Sequence, residues 1–218
     1  MTSDKIDIAE PRPSLGEEIA NSASHAIGLV MALVAAPMLL AQAIRNDKPW
    51  GTLSACVFVA TIILMYLAST LYHALPHGRA KRVLRTLEHC AIFLLIAGTY
   101  TPITLISLRG TWGWGLLGVV WCLAVIGIVI KSVTATTRRW LPGLLYLALA
   151  WLILIAIRPL TQQLPPAAIH WLLWGGLAYT IGMAFFAARH VPYCHFVWHL
   201  FVLVGTACHF NAVWRYVV

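Results

Sequence analysis

The chain has 218 residues, of which 61% are hydrophobic and only 10% are charged, and this composition excludes a water-soluble globular protein, in which roughly 25% of residues are charged. The net charge of +8 does not indicate nucleic-acid binding, because the basic residues stand singly or in small groups and form no basic face with interleaved aromatic residues. The composition therefore predicts an integral membrane protein.

Seven apolar runs follow one another along the chain. Each has about the length needed to cross a hydrocarbon core roughly 30 Å thick, for which about 17 to 25 residues suffice. The fifth run is closed by Arg158-Pro159. The pattern predicts an all-α, polytopic bundle of seven transmembrane helices in the cell membrane, with spans at about 22–44, 51–75, 87–107, 113–132, 141–158, 167–188 and 193–214.

The distribution of Lys and Arg predicts the orientation of the bundle, because cytoplasmic connections carry the excess of positive charge. Ten of these residues lie on the N-terminal side of the membrane and five on the other side. We therefore expect the N-terminus inside and the C-terminus outside, with a cytoplasmic tail at 1–20 and the seven-helix domain at 21–218. The ten are Lys5, Arg12, Arg79, Lys81, Arg82, Arg85, Lys131, Arg138, Arg139 and Arg189.

Polar and ionisable side chains occur at matching depths in four of the spans. Asn21 and His25 open the first span, His73 lies near the end of the second, and Glu88 lies one turn into the third. His195 and His199 occupy the first two turns of the seventh. Ionisable groups inside a membrane are costly and mark functional sites, so this layer near the cytoplasmic face is the candidate site.

The spacing of the histidines predicts a metal site. His195 and His199 are four residues apart, so they share one helix face and can ligate the same ion, with His73 as the third ligand. Three protein ligands and a water form an open, catalytic zinc site. Ser69 precedes His73 by one turn and is expected to orient the imidazole or the water.

A different interpretation of the histidine pair is a hydrogen bond between helices without any metal. His209 lies ten residues beyond His199, about 15 Å further along a helix, so we expect it to hydrogen-bond within the bundle and not to join the metal ligands. His77, His89, His170 and His190 are also left out of the ligand set.

These residues resemble segments of a known family. The matching segments are Glu18-x-x-Asn21-x-x-x-His25, Ser69-Thr-Leu-Tyr-His73, Glu88 through Pro102, and His195-x-x-x-His199 with His209-Phe210. They resemble the hemolysin III family, the bacterial branch of the progestin and adipoQ receptor superfamily.

The resemblance implies a seven-helix fold with its N-terminus inside, zinc held by His73, His195 and His199, and kinship with membrane-embedded lipid amidases. The family usually has Asp where this chain has Glu88, and the additional methylene changes how the carboxylate reaches the metal or its water.

Two functions follow from these residues. In the first, a zinc-dependent hydrolase cleaves a lipid amide or ester: Glu88 takes the proton of the water, Ser69 steadies the water or the oxyanion, and the bundle holds a fatty-acyl chain. In the second, a non-enzymatic channel-like protein or membrane sensor uses zinc to tie the second and seventh spans together. The chain lacks a charged ring or selectivity motif repeated across spans, so we favour a role in membrane homeostasis whose chemistry, if the protein is an enzyme, is hydrolytic.

Overall fold

The computed structural model describes residues 13–133, 141–188 and 190–218, and these ranges are helical without any strand. A 3₁₀ turn, Trp151–Ala156, joins α5 to α6, and π-helical turns, Ile103–Leu108 and Val213–Val217, extend α3 and α8. The α-helices are α1 (Leu15–Asn46), α2 (Gly51–Ala74), α3 (Arg79–Pro102), α4 (Gly110–Val133), α5 (Leu141–Ala150), α6 (Ile157–Gln163), α7 (Pro166–Ala187) and α8 (Cys194–Ala212).

Seven helical segments of the described chain are long and apolar enough to cross a membrane, which confirms the predicted fold class. Their bounds are Leu15–Asn46, Gly51–Ala74, Arg79–Leu108, Gly110–Val133, Pro142–Gln163, Pro166–Ala187 and Cys194–Val217. The orientation stays a prediction, because the helix bounds do not show which end of the bundle faces the cytoplasm. Five of the ten basic residues that favour it lie outside the described residues, namely Lys5, Arg12, Arg138, Arg139 and Arg189.

Helix α1 begins at Leu15, several residues before the predicted span. A capping box explains this early start: the Ser14 hydroxyl accepts the N–H of Glu17, and the Glu17 carboxylate accepts the N–H of Ser14 at 2.8 Å. These contacts satisfy backbone donors that a helix start leaves unpaired. The first turn therefore brings Glu17 and Glu18 into the bundle.

The fifth span is longer than predicted, because Arg158-Pro159 does not close it. Pro159 lies in the first turn of α6, where a missing N–H removes no helical hydrogen bond, and the helix continues to Gln163. The 3₁₀ turn before α6 is held by Tyr100 of α3. Its hydroxyl contacts the carbonyls of Leu149 and Ala150 at 3.0 and 2.9 Å and accepts the N–H of Ile153 at 2.7 Å.

Packing in the bundle places α1 against α2 and α8, α2 against α3, and α7 against α8. Small residues allow close approach: a Cβ at Gly28 would lie 2.8 Å from the Tyr66 ring, as is common between membrane helices. Large apolar side chains remain exposed on the outer faces of α1 and α4, including Val30, Val34, Val125 and Val129. Such surfaces suit contact with lipid.

Candidate metal centre

Four side chains from three helices form one group that can hold a metal ion. His73 comes from the last turn of α2, Glu88 from α3, and His195 and His199 from the first two turns of α8. Each offers one ligand atom, and these four atoms lie within 4.8 Å of one another. His73, Glu88 and His199 are buried, whereas His195 is half-buried. The structure thus brings together the three predicted histidine ligands and the predicted carboxylate.

The imidazole rings meet at close range. The centroids of His195 and His199 are 4.6 Å apart, and the His73 centroid lies 5.1 Å from each of them. His195 and His199 are one helical turn apart, as their spacing of four residues predicts. The convergence of the three rings is therefore a property of the fold, while metal ligation itself stays a prediction.

The Nδ1 atoms of His73 and His199 form hydrogen bonds with residues outside the group. Nδ1 of His73 lies 2.7 Å from Oε2 of Glu18, and Nδ1 of His199 lies 3.2 Å from both the Asn21 carbonyl and the Ser24 hydroxyl. Metal-binding histidines almost always donate their second N–H in this way.

The Nε2 atoms are buried, and within the described ranges those of His73 and His199 have no hydrogen-bond partner. Three imidazoles and one carboxylate are the donor types of zinc sites. The residues therefore fit a divalent metal ion.

Glu88 is held by Ser69. The Ser69 hydroxyl donates to Oε1 of Glu88 at 2.6 Å, and the same oxygen lies 3.5 Å from Nε2 of His73. Both side chains are almost fully buried. The structure thus places the Ser69 hydroxyl on the carboxylate of Glu88.

Asn21 and His25 lie in the predicted polar layer. The Asn21 amide nitrogen is 3.5 Å from Nδ1 of His73. The His25 ring is fully buried and stacks on the ring of His199, with centroids 3.6 Å apart and an interplanar angle of 10°. Neither residue belongs to the group of four.

Two functional candidates, Glu18 and Lys81, were not predicted. Oε1 of Glu18 lies 2.8 Å from the Lys81 ammonium, and its Oε2 contacts His73. The pattern placed Glu18 in the tail and counted Lys81 only as an orientation signal. Two signals were available: Glu18 opens the first segment that matches the family, and the capping box Ser14-x-x-Glu17 starts a helix that carries Glu18 into the layer of the histidines.

The remaining histidines are outside the group, as predicted. His209 contacts the carbonyl of Gly205 at 2.7 Å and stacks on Tyr179, which confirms a hydrogen bond within the bundle. His89 contacts the carbonyl of Arg85 at 2.7 Å.

A cavity of about 1150 Å³ adjoins the group at the same end of the bundle. This volume exceeds the range of roughly 300–1,000 Å³ usual for small-molecule pockets. His73, Glu88 and His195 lie on its wall. The rest of the wall includes apolar side chains of α5 and α7 and basic side chains of α3: Leu144, Leu147, Met183, Phe186, Arg82 and Arg85.

Comparison with known proteins matches residues 14–210 to a family described as haemolysin-III related. The chain is 40% identical over 204 residues to Hemolysin-3 from Bacillus cereus, covering 93% of this chain and 92% of that protein. It is 39% identical over 205 residues to the Hemolysin-3 homolog from Bacillus subtilis (strain 168), covering 94% and 96%. Monocyte to macrophage differentiation factor from Homo sapiens is 25% identical over 213 residues, covering 94% and 86%.

Proposed function

The chain belongs to the haemolysin III-related family, and from the geometry of its polar cluster we propose that it is a zinc-dependent hydrolase of lipid amides or esters. The observation that carries the proposal is the group of His73, Glu88, His195 and His199, whose ligand atoms lie within 4.8 Å of one another beside a large cavity. Hydrolysis of membrane lipids would give the protein its role in membrane homeostasis.

His73, His195 and His199 are the residues proposed to hold the zinc. A zinc ion bound by three protein side chains supplies Lewis acidity, which polarises a carbonyl and lowers the pKa of a coordinated water to about 7. His195 is half-buried and lies on the cavity wall, so a substrate can approach the group from that side.

Glu88 is the proposed general base. Because Oε1 accepts the Ser69 hydroxyl and lies 3.5 Å from Nε2 of His73, the carboxylate faces the group of ligand atoms and is assigned to proton transfer. It takes a proton from the attacking water as the new carbon–oxygen bond forms, and returns it to the nitrogen or oxygen of the leaving group as the old bond breaks. Ser69 keeps the carboxylate in position during both transfers.

The cavity wall suits an amphiphilic substrate. Leu144 and Leu147 of α5 and Met183 and Phe186 of α7 line it, so an acyl chain can lie against apolar side chains while its carbonyl reaches Glu88.

A second candidate function is a non-enzymatic membrane sensor or channel-like protein with a structural zinc. The observation that favours it is that Glu88 belongs to the same group of four ligand atoms. A fourth protein ligand closes a tetrahedral site, and closed sites are structural. Zinc would then tie α2, α3 and α8 together.

Substitution of Glu88 separates the two functions. If Glu88 is the base, Glu88→Gln keeps the zinc content and lowers lipid-amide turnover by roughly 10²–10⁴-fold, since a neutral amide accepts no proton. Glu88→Asp keeps the charge and is the matched control, for which we expect measurable turnover. Zinc content, turnover and melting temperature are compared on the three purified proteins.

The structural function predicts instead that Glu88→Gln loses zinc and melts at a lower temperature. Full turnover by Glu88→Gln at normal zinc content would contradict the role of Glu88 as base, and no turnover by the zinc-loaded wild type would contradict the hydrolase proposal.

A further inference from the structure

We propose that Glu18, held in place by Lys81, is a positioning residue that fixes the ring of His73 for metal binding. The inference rests on the metal centre of the proposed function and assigns a role to two residues outside the ligand set. It implies that α1, which supplies no ligand, controls the metal affinity of the site.

The contact between Glu18 and His73 determines which ring nitrogen carries the proton. Oε2 of Glu18 lies 2.7 Å from Nδ1 of His73. An ionised carboxylate only accepts hydrogen bonds, so the proton lies on Nδ1 and the lone pair on Nε2. Nε2 is the nitrogen that faces the group, at 3.5 Å from Glu88. A carboxylate, a histidine and a metal in this order form a common metal-site triad.

Lys81 fixes both partners of that contact. Its ammonium lies 2.8 Å from Oε1 of Glu18 and 3.0 Å from each of the carbonyls of Tyr72 and Leu75, which uses its three donors. Tyr72 and Leu75 flank His73 at the end of α2. One buried ammonium thus ties the Glu18 carboxylate to the backbone that carries His73.

Glu17, the neighbour of Glu18 in sequence, makes different contacts. Glu17 accepts the backbone N–H groups of Ser14 and Tyr193, at 2.8 and 2.9 Å. Glu17 therefore stabilises the start of α1 and the backbone that leads into α8. Two neighbouring glutamates of equal charge make a matched pair for an experiment, because only Glu18 is bonded to a proposed ligand.

Helix α1 orients a second histidine as well. The Asn21 carbonyl and the Ser24 hydroxyl each lie 3.2 Å from Nδ1 of His199. Glu18, Asn21 and Ser24 are spaced three residues apart, so they follow one face of the helix. This face of α1 thus contacts the Nδ1 atoms of His73 and His199, two of the three proposed ligands.

The test measures the zinc affinity of the purified full-length protein by competition with a chelator. Removing a residue that orients a metal ligand typically costs about 10–100-fold in affinity, and we expect a loss of this size for Glu18→Ala. Glu18→Gln keeps one acceptor oxygen and should lose less. Glu17→Gln keeps one acceptor oxygen for the capping box, which accepts Glu or Gln, and gives up the bond to the Tyr193 N–H. Tyr193 is not a proposed ligand, so this variant should bind zinc as the wild type does.

Two further measurements distinguish positioning from a general effect on folding. Lys81→Met should weaken zinc binding in the wild-type background and have a smaller effect in the Glu18→Ala background, because only the bonds of Lys81 to the Tyr72 and Leu75 carbonyls remain there to be lost. The visible spectrum of the Co²⁺-loaded protein should change in Glu18→Ala and stay unchanged in Glu17→Gln.

Wild-type affinity in both Glu18→Ala and Glu18→Gln would overturn the inference and leave the metal centre intact, even if both variants melted at a lower temperature. A wild-type protein without zinc affinity would overturn the proposed function itself, and this inference with it.

Discussion

His25 is the most deeply buried imidazole outside the ligand group. It stacks on His199 at 3.6 Å and meets Tyr66 edge to face, and neither ring nitrogen bonds to a residue of the described chain. An unsatisfied buried polar group destabilises a fold, whereas an apolar group of similar shape at the same place is often neutral or stabilising. Because His25 also lies outside the group of four ligand atoms, we expect the ring to act through its stacking contacts.

Substitution of His25 by Phe tests this assignment. The phenyl ring keeps the stack and removes both nitrogens, so zinc content should remain at the wild-type level and the melting temperature should stay equal or rise. Both are measured on purified protein. A loss of zinc comparable to that of His73→Ala would instead make His25 a ligand.

Individual site residues differ in how much of their role could be predicted. The spacing of four identified His195 and His199, and the span ends identified His73 and Glu88. The bond from Ser69 to Glu88 could not be predicted, because it joins different helices and depends on their rotation about their axes. Glu18 and Lys81 escaped prediction because charges at span ends also arise from helix capping and from membrane orientation.

At the scale of elements, the fifth span is interrupted near its middle by a segment that is not α-helical. Between α5 and α6 the chain forms a 3₁₀ turn, so part of the regular α-helical hydrogen bonding is lost. In a bilayer such backbone groups need partners within the protein. The Tyr100 hydroxyl supplies them, since it contacts Leu149, Ala150 and Ile153.

Removing that hydroxyl should destabilise the protein. Tyr100→Phe is expected to lower the free energy of unfolding by about 1–2 kcal/mol, as hydrogen bonds between membrane helices are worth roughly 0.6–2 kcal/mol. Unfolding of the purified protein in detergent measures the change. Tyr216→Phe is the control, because the Tyr216 hydroxyl makes no hydrogen bond that involves a described side chain or backbone group. Equal stability of the two variants would contradict the role given to Tyr100.

The element boundaries show where sequence patterns stop being informative. Apolar run length located all seven spans, because a bilayer imposes a common length on every crossing helix. It missed the true start of α1 and the end of α6, which depend on local hydrogen bonding at Ser14 and on the position of Pro159 within its turn.

At the scale of the molecule, the helices bring the ends of α2 and the starts of α1, α3 and α8 to one end of the bundle. Each of these helices contributes polar residues, and none of them carries a complete site. Alternating helix direction predicts this common depth from the sequence. The contacts that orient the rings appear only in the packed bundle, where α1 lies against both α2 and α8.

The zinc content of the purified protein tests the central claim most directly. Elemental analysis should find about one zinc per chain in the wild type, and the substitutions His73→Ala, His195→Ala and His199→Ala should each reduce it strongly, since each removes one of three ligands. His209→Ala is the matched control and should keep its zinc, because His209 is bonded to Gly205 and lies outside the group. A wild-type protein without zinc, or an equal loss of zinc in His209→Ala, would contradict the metal centre described above.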